Sequence, residues 1–143
     1  MLAPGWQDWS WGNTRSWSAT AYVHSGRYAA SCTYTQAWSG LYLHNDSFVT
    51  TGYGYLTLWV NGGNAGGQDI ALALVDANGN NLPQVSVNSY FGGQPPRANR
   101  WQQLRVPLAD LAAVNQTITG IMVQDNRGGA QPTFYVDDVA FTP

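Results

Sequence analysis

The sequence contains no lysine and no glutamate. All six bases are arginine, all eight acids are aspartate, and the formal net charge over 143 residues is −2. A nucleic-acid face needs clustered cations to meet phosphates, and a membrane-surface patch needs a polybasic run. Neither exists here, so neither partner is expected. With a single cysteine, Cys32, no internal disulfide can form. Its alternating context, Ala30-Ser31-Cys32-Thr33-Tyr34, reads as a buried, inert thiol rather than a reactive one. No stretch approaches the ~20 apolar residues of a membrane helix. The opening Met1-Leu2-Ala3-Pro4-Gly5 has neither the charged nor the apolar region of a signal peptide, and Met1 is expected to open an excised module.

What is present is patterned with a period of two. The length fits a single domain over residues 1–143, large enough to bury a core without disulfides. Leu41 and Leu43 oppose Tyr42 and His44, and Leu56, Leu58 and Val60 oppose Tyr55, Thr57 and Trp59. Ile70, Leu72 and Leu74 are expected inward, as are Val85 and Val87 against Gln84, Ser86, Asn88 and Tyr90. Leu104 with Val106, then Ile121 with Val123, continue the pattern, and a last strand is expected over residues 134–142. Between these runs lie Asn, Gly, Asp and Pro clusters, including the hairpin signal Asn78-Gly79. The one helical candidate, residues 107–114, reads as a single turn. Many short strands with one apolar face each predict an all-β antiparallel sandwich, with a jelly roll the preferred form.

The first tryptophans are more than one core strand needs, and they either fill the sandwich core or its end or face a ligand. Trp6, Trp9 and Trp11 fall within six residues; Trp9 and Trp11 share a face if the segment is extended, and Trp6 takes the other. A tryptophan carries a large apolar surface and one N–H donor. A sugar ring offers the complement, an apolar C–H face with a hydroxyl rim. Trp38, Tyr42, His44, Trp59, Tyr90, Gln124 and Asn126 all oppose core-facing positions or follow one. If their strands are neighbours, one sheet face gathers rings and amides, the composition of a sugar groove; if loops cover that face, the same rings simply pack. The uncharged polar surface suits a hydroxyl-rich ligand and equally an extracellular surface with none.

The acids make no positive case for catalysis. Glycoside hydrolysis needs paired carboxylates flanking one bond. Asp137 and Asp138 are adjacent, so in a regular strand they point to opposite faces. His24 and His44 lack metal-ligand spacing, and no serine elbow occurs. A calcium ion, which takes 6–8 oxygens, could join Asp8 to Asp137 or Asp138 if the terminal strands meet; the alternative for the Asp pair is a solvated bulge.

Three segments together resemble a known group. Val23-His24-Ser25-Gly26-Arg27-Tyr28-Ala29-Ala30-Ser31 is similar to a turn-then-strand entry of bacterial carbohydrate-binding modules. Trp101-Gln102-Gln103-Leu104-Arg105-Val106-Pro107-Leu108 resembles their Trp-to-Pro-Leu strand, and Phe134-Tyr135-Val136-Asp137-Asp138-Val139 resembles their last strand. The group is the jelly-roll superfamily that includes families four, nine, sixteen and twenty-two. The resemblance implies a non-catalytic, monomeric module for plant-type β-glucans or related polysaccharides, carried by a secreted hydrolase or lyase. It also implies one structural calcium held by Asp8, carbonyls of Ser25 and Arg27, and Asp137 or Asp138. Trp9, Trp11 and Trp38 are the favoured sugar contacts, with Tyr42 and Gln124 in support, and Trp101 is expected in the core. The rival readings are a lyase or hydrolase on the same scaffold and a structural or adhesive surface domain.

Overall fold

The computed structural model of the protein describes residues 2–143. Ten strands build two five-stranded antiparallel sheets. The strands are β1 (Trp6–Asp8), β2 (Asn13–Ala19), β3 (Ala29–Tyr34), β4 (Gly40–Val49), β5 (Tyr55–Asn61), β6 (Ile70–Asp76), β7 (Val85–Ser86), β8 (Trp101–Pro107), β9 (Thr117–Asp125) and β10 (Phe134–Thr142). One sheet has the order β1-β4-β9-β6-β7 and the other β2-β3-β10-β5-β8. From β3 to β6 and again from β7 to β10 each connection crosses between the sheets, the winding of a jelly roll.

The alternation predicts the core. Leu41, Leu56, Leu58, Val60, Ile70, Leu72, Leu74, Leu104, Val106, Ile121, Val123, Phe134 and Val136 are all buried in one cluster between the sheets. Each such side chain contributes about 1.5–3 kcal/mol relative to exposure. Cys32 is buried, as expected, and burial pushes its thiol up to about 12. The helical candidate is a 3₁₀ turn, Leu108–Leu111, closed by Ala112 at φ 54°.

The run at residues 84–90 departs from its expected strand. Pairing with β6 ends at Ser86, and Val87–Tyr90 forms a second 3₁₀ turn. Val87 and Tyr90 both turn toward the core, and the Tyr90 hydroxyl donates to Asp110 Oδ2 at 2.7 Å. Burial and that bond push the Tyr90 hydroxyl up to about 12.

At the opposite edge, Asp8 closes the gap between the sheets. Its Oδ2 accepts from Arg15 Nε at 2.6 Å and from Trp17 Nε1 at 3.1 Å, and its Oδ1 from the Ser10 amide at 3.0 Å. Burial alone would raise the Asp8 carboxyl, but the bonds from Ser10, Arg15 and Trp17 outweigh it and hold the carboxyl below its ordinary value. Nearby, a cavity of about 440 Å³ lies between the sheets, lined mainly by apolar groups such as Trp6, Leu43, Phe48 and Phe141.

Candidate functional site

The face of the first sheet that points away from the core is read directly from the register. Gln7 lies beside His44, Tyr42 beside Met122, and Met122 beside Ala73; Gly40 lies beside Gln124, and Gln124 beside Ala71. Partners in a ladder share a face, so these residues lie on the side of the sheet turned away from the core, where Ala71, Ala73 and Met122 are themselves covered. The chain after β1 stays alongside β4: the Trp9 amide donates to the Tyr42 carbonyl at 3.0 Å, and Trp11 exchanges bonds with Gly40 at 3.1 and 3.2 Å. That extension places Trp9 and Trp11 on the outer face and Trp6 against the core, the division predicted for an extended segment.

The rings form a continuous platform. Trp9 stacks on His44 with centroids 3.4 Å apart and planes 3° apart. Tyr42 lies 6.0 Å from Trp9 and 6.2 Å from Trp11. Two of these rings lie against bare backbone. A Cβ at Gly40 would overlap the Trp11 ring, and one at Gly120 would come within 2.9 Å of the Tyr42 hydroxyl and ring. Glycine at these two strand positions lets the rings lie down on the sheet. Trp38, in the β3–β4 connection, completes the cluster. Its carbonyl accepts from Trp11 Nε1 at 3.1 Å and from Gln124 Nε2 at 2.9 Å. Trp38, Trp9 and Trp11 are 56%, 53% and 41% exposed, and the remaining described tryptophans are at least half-buried or packed.

Polar groups around the platform fix it. Trp9 Nε1 donates to Gln7 Oε1 at 3.0 Å. Asn13 Nδ2 donates to the Trp11 and Gly40 carbonyls at 2.8 and 2.9 Å and to Ser39 Oγ at 2.9 Å. Asn13, Ser39 and Gln7 were not among the sequence candidates. Their positions beside a tryptophan in the chain were the only available signal.

Five expectations need correction. His44 is on the predicted face but is almost covered, lying beneath Trp9 rather than open to solvent; its Nε2 faces Asp46 Oδ1 at 3.2 Å and its Nδ1 has no hydrogen-bond partner among the described residues. Trp59 faces outward on the opposite sheet, because β5 pairs with β8 and β10 and never with β4. There it stacks on His24 at 3.9 Å. Tyr90 leaves the sheet in its 3₁₀ turn. Asn126 lies beyond β9, where Nδ2 donates to Asp69 Oδ1 at 3.2 Å and anchors a loop. Trp101 is not in the core: it alternates against Leu104 and Val106, sits half-buried on the second sheet's outer face, and meets His24 edge-on at 5.7 Å.

The proposed calcium ligands divide. Asp137 and Asp138 do not point apart, because a register shift and φ 52° at Asp138 bring both onto the turn at residues 24–25. Asp137 Oδ2 accepts the amides of His24 and Ser25 at 2.9 and 3.1 Å. Asp138 accepts from Ser25 Oγ at 2.6 Å and contacts His24 Nδ1 at 2.7 Å. The Ser25 hydroxyl, set against burial and aided by His24, holds the Asp138 carboxyl below its ordinary value. Asp8 is bound to Arg15 and Trp17 instead. Among the described residues no group of three or more His, Cys, Asp or Glu is placed to hold a metal. Asp8 thus lies apart from the other proposed donors, and the Asp137–Asp138 pair, bonded to His24 and Ser25, latches the turn.

Comparison with known proteins bears on the fold and the family. A curated relative, an endoglucanase of Dictyostelium discoideum, is 28% identical over 142 residues, 99% of this chain and 20% of that protein, so the chain spans about one fifth of its length. A family 29 carbohydrate-binding module from Piromyces equi has a TM-score of 0.61 at 13% identity, covering 99% of this chain and 82% of that one. A family 11 module from Clostridium thermocellum, solved with a β-1,3-1,4-mixed-linked tetrasaccharide, has a TM-score of 0.63 at 13% identity, covering 99% and 90%. At such identities the likeness concerns the fold. The family pattern that matches is Carbohydrate binding domain 30, over residues 6–143, and not one of the four families the sequence resemblance suggested. With that match running from β1 to the end of β10, the chain belongs to the carbohydrate binding domain 30 family and is a non-catalytic carbohydrate-binding β-sandwich module.

Proposed function

We propose that the protein binds β-linked glucan chains on the platform of Trp9, Trp11, Trp38 and Tyr42, and that it serves as an accessory module of a larger secreted polysaccharide-degrading enzyme. One observation carries the reading: the three exposed tryptophans among the described residues are linked at one end of one sheet, Trp9 to Trp11 through Tyr42 and Trp11 to Trp38 through a hydrogen bond. Exposed rings of this size are costly to hydrate, and several clustered on one face are the usual mark of a ligand-binding surface. Sugar C–H faces would stack on the rings, and Gln7 and Gln124 at the platform edge would meet hydroxyls. The relative's description as an endoglucanase and the mixed-linkage tetrasaccharide bound by the family 11 module support the glucan class.

The test is a binding screen by affinity electrophoresis and titration calorimetry with cellohexaose, mixed-linkage β-glucan, β-1,4-galactan and amylose. Retention by the first two and not by amylose is expected. Selective binding of galactan or amylose would overturn the glucan assignment, and no binding to any glycan would overturn the site.

A further inference from the structure

We propose that the buried carboxylate of Asp125 is the positioning residue that holds Trp38 in its sugar-facing conformation; the inference rests on Trp38 belonging to the binding platform. Trp38 has φ 60°, a left-handed backbone that a bulky side chain adopts only under constraint. Its amide donates to Asp125 Oδ2 at 2.9 Å. The same oxygen accepts the amides of Gly128 and Gly129 at 3.0 and 2.9 Å. Oδ1 accepts the Arg127 amide at 2.9 Å and Gln131 Nε2 at 2.5 Å.

Asp125 is 1% exposed, and no ion pair to it occurs among the described residues. The Arg127 guanidinium turns away to the Gly67 carbonyl at 2.6 Å. Five N–H donors thus replace water around a buried charge, the arrangement in which hydrogen bonds are strongest. The Trp38 ring rests on the turn that this carboxylate gathers, since a Cβ at Gly128 would lie 3.1 Å from the ring. Asp125 therefore controls both the backbone of Trp38 and the surface beneath its ring. The Trp38 carbonyl then orients Trp11 and Gln124. Asparagine is nearly the same size but would turn an NH₂ group toward donors, so Asp125→Asn tests the charge pattern rather than the volume.

The experiment compares the protein with D125N, W38A and the double variant, using cellohexaose affinity together with ¹⁹F spectra of protein labelled with 5-fluorotryptophan. D125N is expected to lose ~10-fold or more in affinity, the scale of a lost hydrogen bond to a charged group. Its Trp38 resonance should move while those of Trp59 and Trp101 stay. The double variant should bind no more weakly than W38A, because Asp125 acts through Trp38. Unchanged affinity in D125N, or a further loss in the W38A background, would overturn the proposal. If the unaltered protein does not bind cellohexaose, the platform reading fails, and an unmoved Trp38 resonance in D125N still separately refutes the positioning role. If D125N does not fold, hydrogen exchange on the unaltered protein decides. A protected Trp38 amide, on this exposed residue, supports the bond to Asp125, and a freely exchanging one refutes it.

Discussion

The two outer faces of the sandwich carry similar residues to different ends. On the β1–β4 side, Trp9 and Trp11 are exposed with half-buried Tyr42 between them, and exposed Trp38 joins from the end. On the β5–β8 side, Trp59, Trp101, Tyr22 and Tyr135 are half-buried. The connection between β2 and β3 lies across them: His24 stacks on Trp59, Tyr22 packs on Tyr135, and the Tyr22 hydroxyl bonds Asn64 and Asn99. The latch of Asp137 and Asp138 keeps that connection down. Aromatic content alone thus does not mark a binding face; what lies over the rings does.

The sharpest way to break this contrast is to truncate one ring on each face. Trp11→Ala is expected to lose ~30-fold or more in polysaccharide affinity, the size of a loss at a dominant aromatic contact, with little change in melting temperature. Trp59→Ala should do the reverse, costing about 2 kcal/mol of stability through lost packing while retention in an affinity gel is kept. Equal loss of binding in both would end the distinction between the faces. Next in size is Gly40→Ala, whose new methyl must lift the Trp11 ring. An affinity loss of ~10-fold with an unchanged fold is expected by calorimetry and circular dichroism, since a displaced ring forfeits its stacking geometry.

How far the sequence revealed this follows from what local pattern encodes. Alternation places Leu41, Leu56, Leu58 and Leu104 inward because a strand has two faces whatever its neighbours. Alternation also puts Tyr42 and Trp59 outward, but it is blind to which strands pair. The assignment of Trp59 to the platform failed there, since its strand belongs to the other sheet. The reading of Trp101 as core failed for a different reason: a motif was given priority over the alternation that places it opposite Leu104. The opposed pointing of Asp137 and Asp138 assumed a regular strand, and the irregularity after Asp137 removes that premise. Four of the five donors to Asp125 come from its own turn, which Asp125-Asn126-Arg127-Gly128-Gly129 signals locally, but the fifth, the Trp38 amide, is 87 residues away and leaves no mark in the local pattern.

A smaller effect sharpens the account of the covered face. Asp138→Ala should cost about 1 kcal/mol, the modest value of an exposed polar latch, and leave cellohexaose affinity unchanged. The folded carboxyl of Asp138 lies below its ordinary value. Its contribution is therefore complete above the ordinary carboxylate range and disappears as pH falls through the folded value. Asp8 and Asp125 follow the same sign. Melting temperature against pH should fall on the acid side, and D138A should show a shallower fall than the unaltered protein. The smallest expected effect is that of a chelator. The latch is closed by hydrogen bonds, so the melting curve in excess EDTA should coincide with the curve without it; a drop of several degrees would show that a bound ion contributes to the fold.

The interior position of Cys32 has a practical consequence for reporting on these events. Its thiol is 1% exposed, and burial raises it to about 12, so almost no thiolate forms near neutral pH. Toward maleimides and iodoacetamides the folded chain behaves as though it had no cysteine. A cysteine introduced at exposed Gln36, two residues from Trp38, would be the only reactive one. A single environment-sensitive dye could then be attached beside the platform in the otherwise unaltered protein, and its emission would follow polysaccharide capture and release in real time.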